Sequence, residues 1–451
     1  PHAMFGIRGL NPLNLLLVAT LGSHVLAGLS DRRLREFVPP SLLWLYVVPV
    51  VGAAAIGTSH LDKIASIFLS NGDVQFTNVT GYLVEFMVKP LFMVLFALLV
   101  AAAVSRSKAP ERFLTPALGS VWIMGLMVIV YVVYAGVGLD QLASSESREF
   151  LSPLGLHANE LGRLYTFAYA LLLFSWGGVS DRKVKLMLLV SMGLVTLALV
   201  LTFSRAAFLG FAIVNLLYLV SRRNNMKTLI LGAVAGVIVF FLIPDAIYER
   251  MSAGFGGGVD AISAGRVDRI WLPLLPSIMD SPFFGSGLGS ILWSEPMRSG
   301  GGQTILAVTH PHNAYLQALL DTGMVGLILQ CAFFVHVWRG FRKLGDRPVA
   351  VNAGNANNSV LPGFYLGAAA GLLGILVSNF TDSSLTPRPE QAFLWLAIGM
   401  MYGQLRRTES AKAPAPSWSA PAPSRSAPAP SRSAPAPARS SRRAVAHGRL
   451  G

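Results

Sequence analysis

Three arginines and a histidine stand out because the rest of the chain is so poor in charge. Arg205 sits between two apolar runs in F-S-R-A-A-F-L-G (203–210), Arg266 and Arg269 in G-R-V-D-R-I-W (265–271), and His312 in T-H-P-H-N-A-Y (309–315). A guanidinium offers a planar fork of donors that matches phosphate oxygens two at a time. An imidazole is the side chain best suited to carry a proton near neutral pH. Each group also has a plainer reading. Arginine at the end of a membrane span snorkels to the headgroups, and a histidine at a helix entry can be held by a local hydrogen bond. His310 and His312 form an H-x-H, but no nearby Asp, Glu or Cys completes a recognisable ligand set, so no metal is expected. Asn313, after the helix-breaking Pro311, is placed to cap a helix. Asp382, in F-T-D-S-S, reads first as a loop cap. Arg269, His310, Asn313, Tyr315 and Asp382 are the candidate substrate contacts around the Arg205, Arg266 and His312 trio.

What must position these groups is a membrane bundle. Of 451 residues, 53% are hydrophobic and only 13% are charged, about half the charged share of a soluble domain. Too little polar surface remains to coat a water-soluble particle of this size. The net charge of +14 is not a nucleic-acid signal, because residues 406–451 hold nine Lys/Arg against one acid, Glu409. That tail contains three near-copies of S-A-P-A-P-S-R, at Ser419–Arg425, Ser426–Arg432 and Ser433–Arg439. Proline at this density forms neither helix nor sheet, so a disordered cytoplasmic tail that solvates or touches anionic headgroups is expected. The one cysteine, Cys331, lies in an apolar run and excludes a disulfide within the chain.

A helix needs roughly 20 apolar residues to cross the hydrocarbon core. Runs of that kind occur at 10–29, 41–58, 82–104, 116–137, 161–178, 185–203, 206–221, 228–247, 313–338, 360–380 and 390–405. The expected fold is therefore an all-α polytopic bundle of eleven spans, or twelve if one helix is re-entrant, over residues 1–405. Basic residues follow alternate spans: Arg32, Arg33 and Arg35; Arg106, Lys108 and Arg112; Arg182, Lys183 and Lys185; Arg222, Arg223 and Lys227; Arg339, Arg342, Lys343 and Arg347. By the positive-inside rule these loops are cytoplasmic. The connections 59–81, 138–160, the turn near Arg205, 248–312 and 381–389 then face outward, and every candidate residue lies on that face. The long segment 248–312 is expected to contain short helices, one with an apolar stripe at Ile270, Leu274, Leu275, Ile278 and Met279. G-S-G-L-G (285–289) is expected to be a flexible turn, because no strand precedes it to make a phosphate loop. Glu85 and Lys89, spaced i, i+4, are expected to form an ion pair; a transporter would need more such pairs deep in several spans. Three arginines and a histidine on the outer loops would suit an anionic, lipid-linked substrate at the membrane surface.

S-R-A-A-F-L-G (204–210), R-V-D-R-I-W (266–271), S-P-F-F-G-S-G-L-G (281–289) and H-N-A-Y-L-Q-A-L-L-D-T-G-M-V-G (312–326) resemble, in order and separation, the O-antigen ligase and polymerase superfamily of bacterial membrane glycosyltransferases. L-H-A-N-E-L-G (156–162) is similar to an element before that family's central helices, and the likeness runs over roughly 145–405. The resemblance implies a glycan donor carried on undecaprenyl pyrophosphate and lipid A–core as acceptor, with the active site on the periplasmic face of the inner membrane. It implies that Arg205 and Arg266 act on the pyrophosphate and His312 on the acceptor hydroxyl, without metal or cofactor, in a single inverting displacement. A polymerase or a protein (pilin) O-oligosaccharyltransferase shares that donor and fold and differs in acceptor; a lipid-linked glycan transporter is the reading from another class. The family commonly has Glu where this chain has Asp321, which is read as structural.

Overall fold

The computed structural model describes residues 15–16, 18–23, 26, 37–72, 74, 76–136, 138, 150–242, 245–252, 256–298, 308–346, 359–381 and 385–410. Among them every regular element is a helix, the all-α polytopic architecture expected. Before the long loop come α1 (Pro40–Lys63), α2 (Val79–Arg106) and α3 (Pro110–Ala135), α4 (Ala158–Gly178), α5 (Arg182–Val200), α6 (Arg205–Ser221) and α7 (Met226–Leu242). The loop carries α8 (Leu272–Asp280), and α9 (Ala314–Gly345), α10 (Leu361–Thr381) and α11 (Ala392–Ser410) follow. Six of these, α1, α2, α3, α5, α9 and α10, are long and apolar enough to cross a membrane. α6 and α7 have 17 residues each. At 1.5 Å per residue that is about 25 Å, short of a hydrocarbon core of about 30 Å. Most of the expected first span, 10–29, and the tail from 411 lie outside the described residues.

α4 is the central helix, buried along nearly all of 158–175. Its main neighbour is α10, which meets it through glycines spaced by four, Gly363, Gly367 and Gly371. A Cβ on Gly363 or Gly367 would stand 2.5 Å from the Phe174 carbonyl oxygen or 2.4 Å from that of Ala170. α11 meets α2 the same way: a Cβ on Gly399 or Gly403 would lie 2.4 Å from Ala97 O or 2.7 Å from Ala101 O. Lipid tails are as apolar as leucine, so helices in a bilayer associate through close backbone approach and dispersion. The two glycine series supply that approach.

The ninth expected span is not one continuous helix. At Gly323 the backbone turns to φ 64°, ψ −171°, splitting α9 into 314–322 and 324–345. The groups freed by the break are taken up by the segment after α8. Ser286 N donates to Leu320 O (2.8 Å) and Gly287 N to Asp321 O (3.1 Å), while Met324 N donates to Pro282 O (2.8 Å) and Val325 N to Phe283 O (3.1 Å). Asp321 completes the join by accepting from Ser290 N (3.0 Å), Ser290 Oγ (2.8 Å) and Gln317 Nε2 (2.7 Å). G-S-G-L-G is therefore a packed splice and not the flexible turn expected of it. Gly285 and Gly287 have φ of +70° and +97°, and a Cβ there would fall 2.5 Å from Asp321 C or 2.3 Å from Gly57 N. Glu85 and Lys89 do form their i, i+4 ion pair, on an exposed stretch of α2.

Candidate active site

The trio shares one local feature: each member stands at the start of a helix, with a nearby polar side chain accepting from the first backbone N–H groups. Arg205 is the first residue of α6, and the Ser204 side chain accepts from Ala207 N at 3.3 Å. Arg266 opens the helical stretch 267–280, where Ser263 Oγ accepts from the backbone N of Arg266 (3.2 Å) and Val267 (3.3 Å). His312 precedes Asn313, whose Oδ1 accepts from Tyr315 N (3.0 Å) and Leu316 N (3.1 Å) to cap α9. A helix start presents N–H donors and the positive end of its dipole, which favours anions.

The backbone marks the same three places. Among the described residues, three that are not glycine have positive φ: Phe203 at 48°, Ala264 at 60° and His312 at 54°. Phe203 lies two residues before Arg205, Ala264 lies two before Arg266, and the third is the histidine itself. Such a conformation costs an L-residue about 1–3 kcal/mol and persists only where the surroundings impose it. In this chain the strain falls on the approach to each candidate group.

The end of α10 holds two of the helix starts, and α6 packs along the same helix. Arg266 Nη1 donates to Thr381 O at 3.3 Å. Tyr315 Oη donates to Leu376 O at 2.6 Å, and its ring lies 4.7 Å from that of Phe380. Trp271 Nε1, one turn along from Arg266, donates to Pro311 O, next to His312, at 2.9 Å. On the other side α6 packs along α10, with a Cβ on Gly374 falling 3.6 Å from Gly210 O; Arg205 lies five residues toward the same end. Of the outer candidates, His310 sets its ring 4.1 Å from that of His312, tilted by 59°, and places Nδ1 3.2 Å from Thr309 Oγ1. Arg269 is exposed, and its backbone N donates to Gly265 O at 3.2 Å. Asn313 and Tyr315 spend the groups named above on the cap and on α10. Asp382 lies outside the described residues. No group of three His, Cys, Asp or Glu side chains fit to hold a metal occurs among the described residues.

Sequence reasoning missed a buried ion pair beside this site. Arg163 on α4 donates to Glu390 at 3.0 Å, with side chains 7% and 2% exposed. Its neighbour Gly162 packs against the Arg205 cap: a Cβ there would lie 2.6 Å from Ala207 Cβ and 3.1 Å from Ser204 Cβ. Removing one partner of such a pair leaves a buried charge uncompensated, at a cost of about 3–5 kcal/mol. The available signal was an arginine inside an apolar run. The polar letters of L-H-A-N-E-L-G also find a local use, since Glu160 accepts from His157 N (2.8 Å) and His157 Nδ1 from Asn159 N (3.2 Å) in a capping box.

Fold and site together define a polytopic membrane protein with cationic and imidazole groups at helix starts whose approaches are strained. Residues 186–331 match the O-antigen ligase family model (Wzy_C), a stretch that takes in Arg205, Arg266, His312 and Asp321. An O-antigen ligase of Pseudomonas aeruginosa is 25% identical over 333 residues, covering 72% of this chain and 71% of that protein. Two Rickettsia proteins provisionally named polysaccharide ligases also align. That of R. conorii is 29% identical over 151 residues (32% of this chain, 36% of that protein), and that of R. felis 26% over 212 (44% and 50%). The match to the O-antigen ligase family model covers about a third of the chain, and with the curated relatives it supports a membrane glycan-transfer role of the glycosyltransferase type.

Proposed function

We propose that the chain transfers an O-antigen glycan from undecaprenyl pyrophosphate to the outer-core sugar of lipid A–core, on the periplasmic face of the bacterial inner membrane. The pyrophosphate needs its growing charge neutralised as it leaves, and Arg205 and Arg266 do this by hydrogen bonding to its oxygens. The acceptor hydroxyl is a poor nucleophile, and His312 takes its proton as the oxygen attacks the anomeric carbon. The new C–O bond forms opposite the old one, whose electron pair departs with the pyrophosphate, so the anomeric configuration inverts. The neutral histidine is regenerated by releasing its proton to water.

The observation that carries this reading is the coincidence of left-handed backbone with all three groups, at 203, 264 and 312. Evolution retains such strain where geometry at a site is held against local preference. The three relatives are named ligases, which supports ligation over chain elongation. Purified protein in proteoliposomes, given undecaprenyl-pyrophosphate-linked glycan and lipid A–core, is expected to yield glycan covalently joined to lipid A–core. Elongated lipid-linked glycan in place of that product would make it a polymerase. Movement of donor between leaflets with no covalent product would overturn the enzyme reading.

A further inference from the structure

The segment that splices α9 back together carries two phenylalanines with nothing over them. Phe283 and Phe284 are 66% and 67% exposed, whereas nearly all of 285–294 is buried. Exposed rings in water would be a liability, and three helices act as rulers for where these rings sit.

The first ruler is α9. Phe283 O is bonded to Val325 N and Pro282 O to Met324 N, so the rings stand beside the 324–325 rung. From Met324 to Arg339, the first of the basic residues at the far end of that helix, is fifteen residues, about 22 Å at 1.5 Å per residue. The hydrocarbon core is about 30 Å thick. Rung 324 is then about 8 Å inside the opposite edge, and any tilt of the helix puts it deeper. The second ruler is α1: Leu288 N donates to Ala53 O at 3.2 Å. Ala53 lies five residues inside the end of the apolar run 41–58, about 7–8 Å. The third is α2, where a Cβ on Gly289 would fall 2.7 Å from the Phe86 ring, and Phe86 is four residues, about 6 Å, inside the start of the run 82–104. The three depths agree.

We infer that residues 281–290 form a re-entrant wedge sunk in the outer-facing leaflet, with Phe283 and Phe284 in contact with lipid acyl chains. Irregular backbone is tolerated at that depth only where its polar groups are paired, and most of the N–H groups of this segment are. Gly285 N donates to Ser281 O, Ser286 N and Gly287 N to the α9 carbonyls, Leu288 N to α1, and Leu288 O accepts from Tyr82 Oη at 2.8 Å. The neighbouring side chains fit a lipid boundary as well: Met324, Val325 and Ile328 on α9 are all exposed and apolar. α8 leads into the wedge. It buries Leu274 toward the protein, as the turn before it buries Ile270, and turns Leu272, Leu275 and Met279 outward, as a helix lying along the interface does. The inference rests on the chain spanning a bilayer and not on the reaction it performs.

The test is lipid accessibility in the full chain, reconstituted in nanodiscs. In a Cys331→Ser background, a nitroxide is attached at Phe283→Cys or Phe284→Cys, with Ile328→Cys as a lipid-facing reference and Asp268→Cys as a water-facing one. Relaxation by oxygen over that by a water-soluble nickel chelate should match Ile328→Cys and exceed Asp268→Cys severalfold. A ratio matching Asp268→Cys overturns the wedge. If the cysteine variants do not fold, the unsubstituted chain is probed with a carbene precursor dissolved in the lipid and, separately, with hydroxyl radicals in the water. Carbene adducts on Phe283 and Phe284 with no radical oxidation support the wedge. Oxidation comparable to that of Tyr248, which is 64% exposed, overturns it.

Discussion

Asp321 separates a structural from a chemical reading of its motif, because two substitutions there should behave very differently. Its carboxyl accepts from Ser290 N, Ser290 Oγ and Gln317 Nε2 at 2.7–3.0 Å, in a residue 6% exposed. Asp321→Ala strands three buried donors, each worth about 1–3 kcal/mol when left without a partner. The losses overlap, since Ser290 supplies two of them and its backbone N also reaches Gly287 O, so a total of about 3–5 kcal/mol is expected. At about 2 °C per kcal/mol for a chain of this size, the apparent Tm should fall by roughly 6–10 °C. Asp321→Asn keeps Oδ1 as acceptor for both Ser290 donors and puts an amide opposite Gln317, whose own amide can turn to present its oxygen. That change should cost about 1 kcal/mol, or roughly 2 °C, and leave glycan transfer near the unsubstituted rate. The measurements are intrinsic-fluorescence melting in nanodiscs and the proteoliposome transfer assay, run on the same preparations. An Asp321→Asn protein that melts normally but does not transfer glycan would refute the structural assignment and make Asp321 part of the chemistry.

Arg205→Ala, Arg266→Ala and His312→Ala should each lower kcat by about 10²–10³-fold, the scale for losing one group that stabilises transition-state charge, with melting temperatures little changed. Full activity in any one removes that residue from the mechanism. Gly367→Leu should prevent accumulation of folded protein, since the first atom added would sit 2.4 Å from Ala170 O; a monodisperse product with normal melting would contradict the helix contact described. Removing divalent metal with EDTA should leave transfer unchanged in the same assay, and a strong loss restored by magnesium would overturn the account in which arginines alone neutralise the pyrophosphate.

Hydropathy made the spans legible, because burying some 20 apolar residues per crossing leaves a signal no other fold mimics at this length. The Asn313 cap was also readable, since Pro311 ends one segment and Asn starts the next. What was hidden depends on contacts distant in sequence. D-T-G-M-V-G reads as helix with a tolerated glycine, and the break at Gly323 is decided by Phe283 and Pro282, some 40 residues upstream. The stripe at 270, 274, 275, 278 and 279 reads as one face, yet Ile270 and Leu274 turn to the protein while Leu275 and Met279 turn away. Arg163 and Glu390 are 227 residues apart, so neither predicts the other. The left-handed turns at Phe203, Ala264 and His312 leave no local trace at all. Phe and Ala seldom adopt that conformation and His does so more readily, but in each place the packed structure imposes it.

Outer loops generally absorb extra residues without harm, because their ends alone are fixed. The 281–290 segment is an exception within its own loop. Pro282 and Phe283 are bonded to one half of α9, and Ser286 and Gly287 to the other. One residue added between Phe283 and Ser286 would shift half of these pairings out of step and push a side chain into space that only Gly285 and Gly287 fit. The insertion map of this protein should therefore show a forbidden stretch in the middle of what hydropathy alone marks as permissive. An epitope tag belongs at the exposed glycines 256–258 instead.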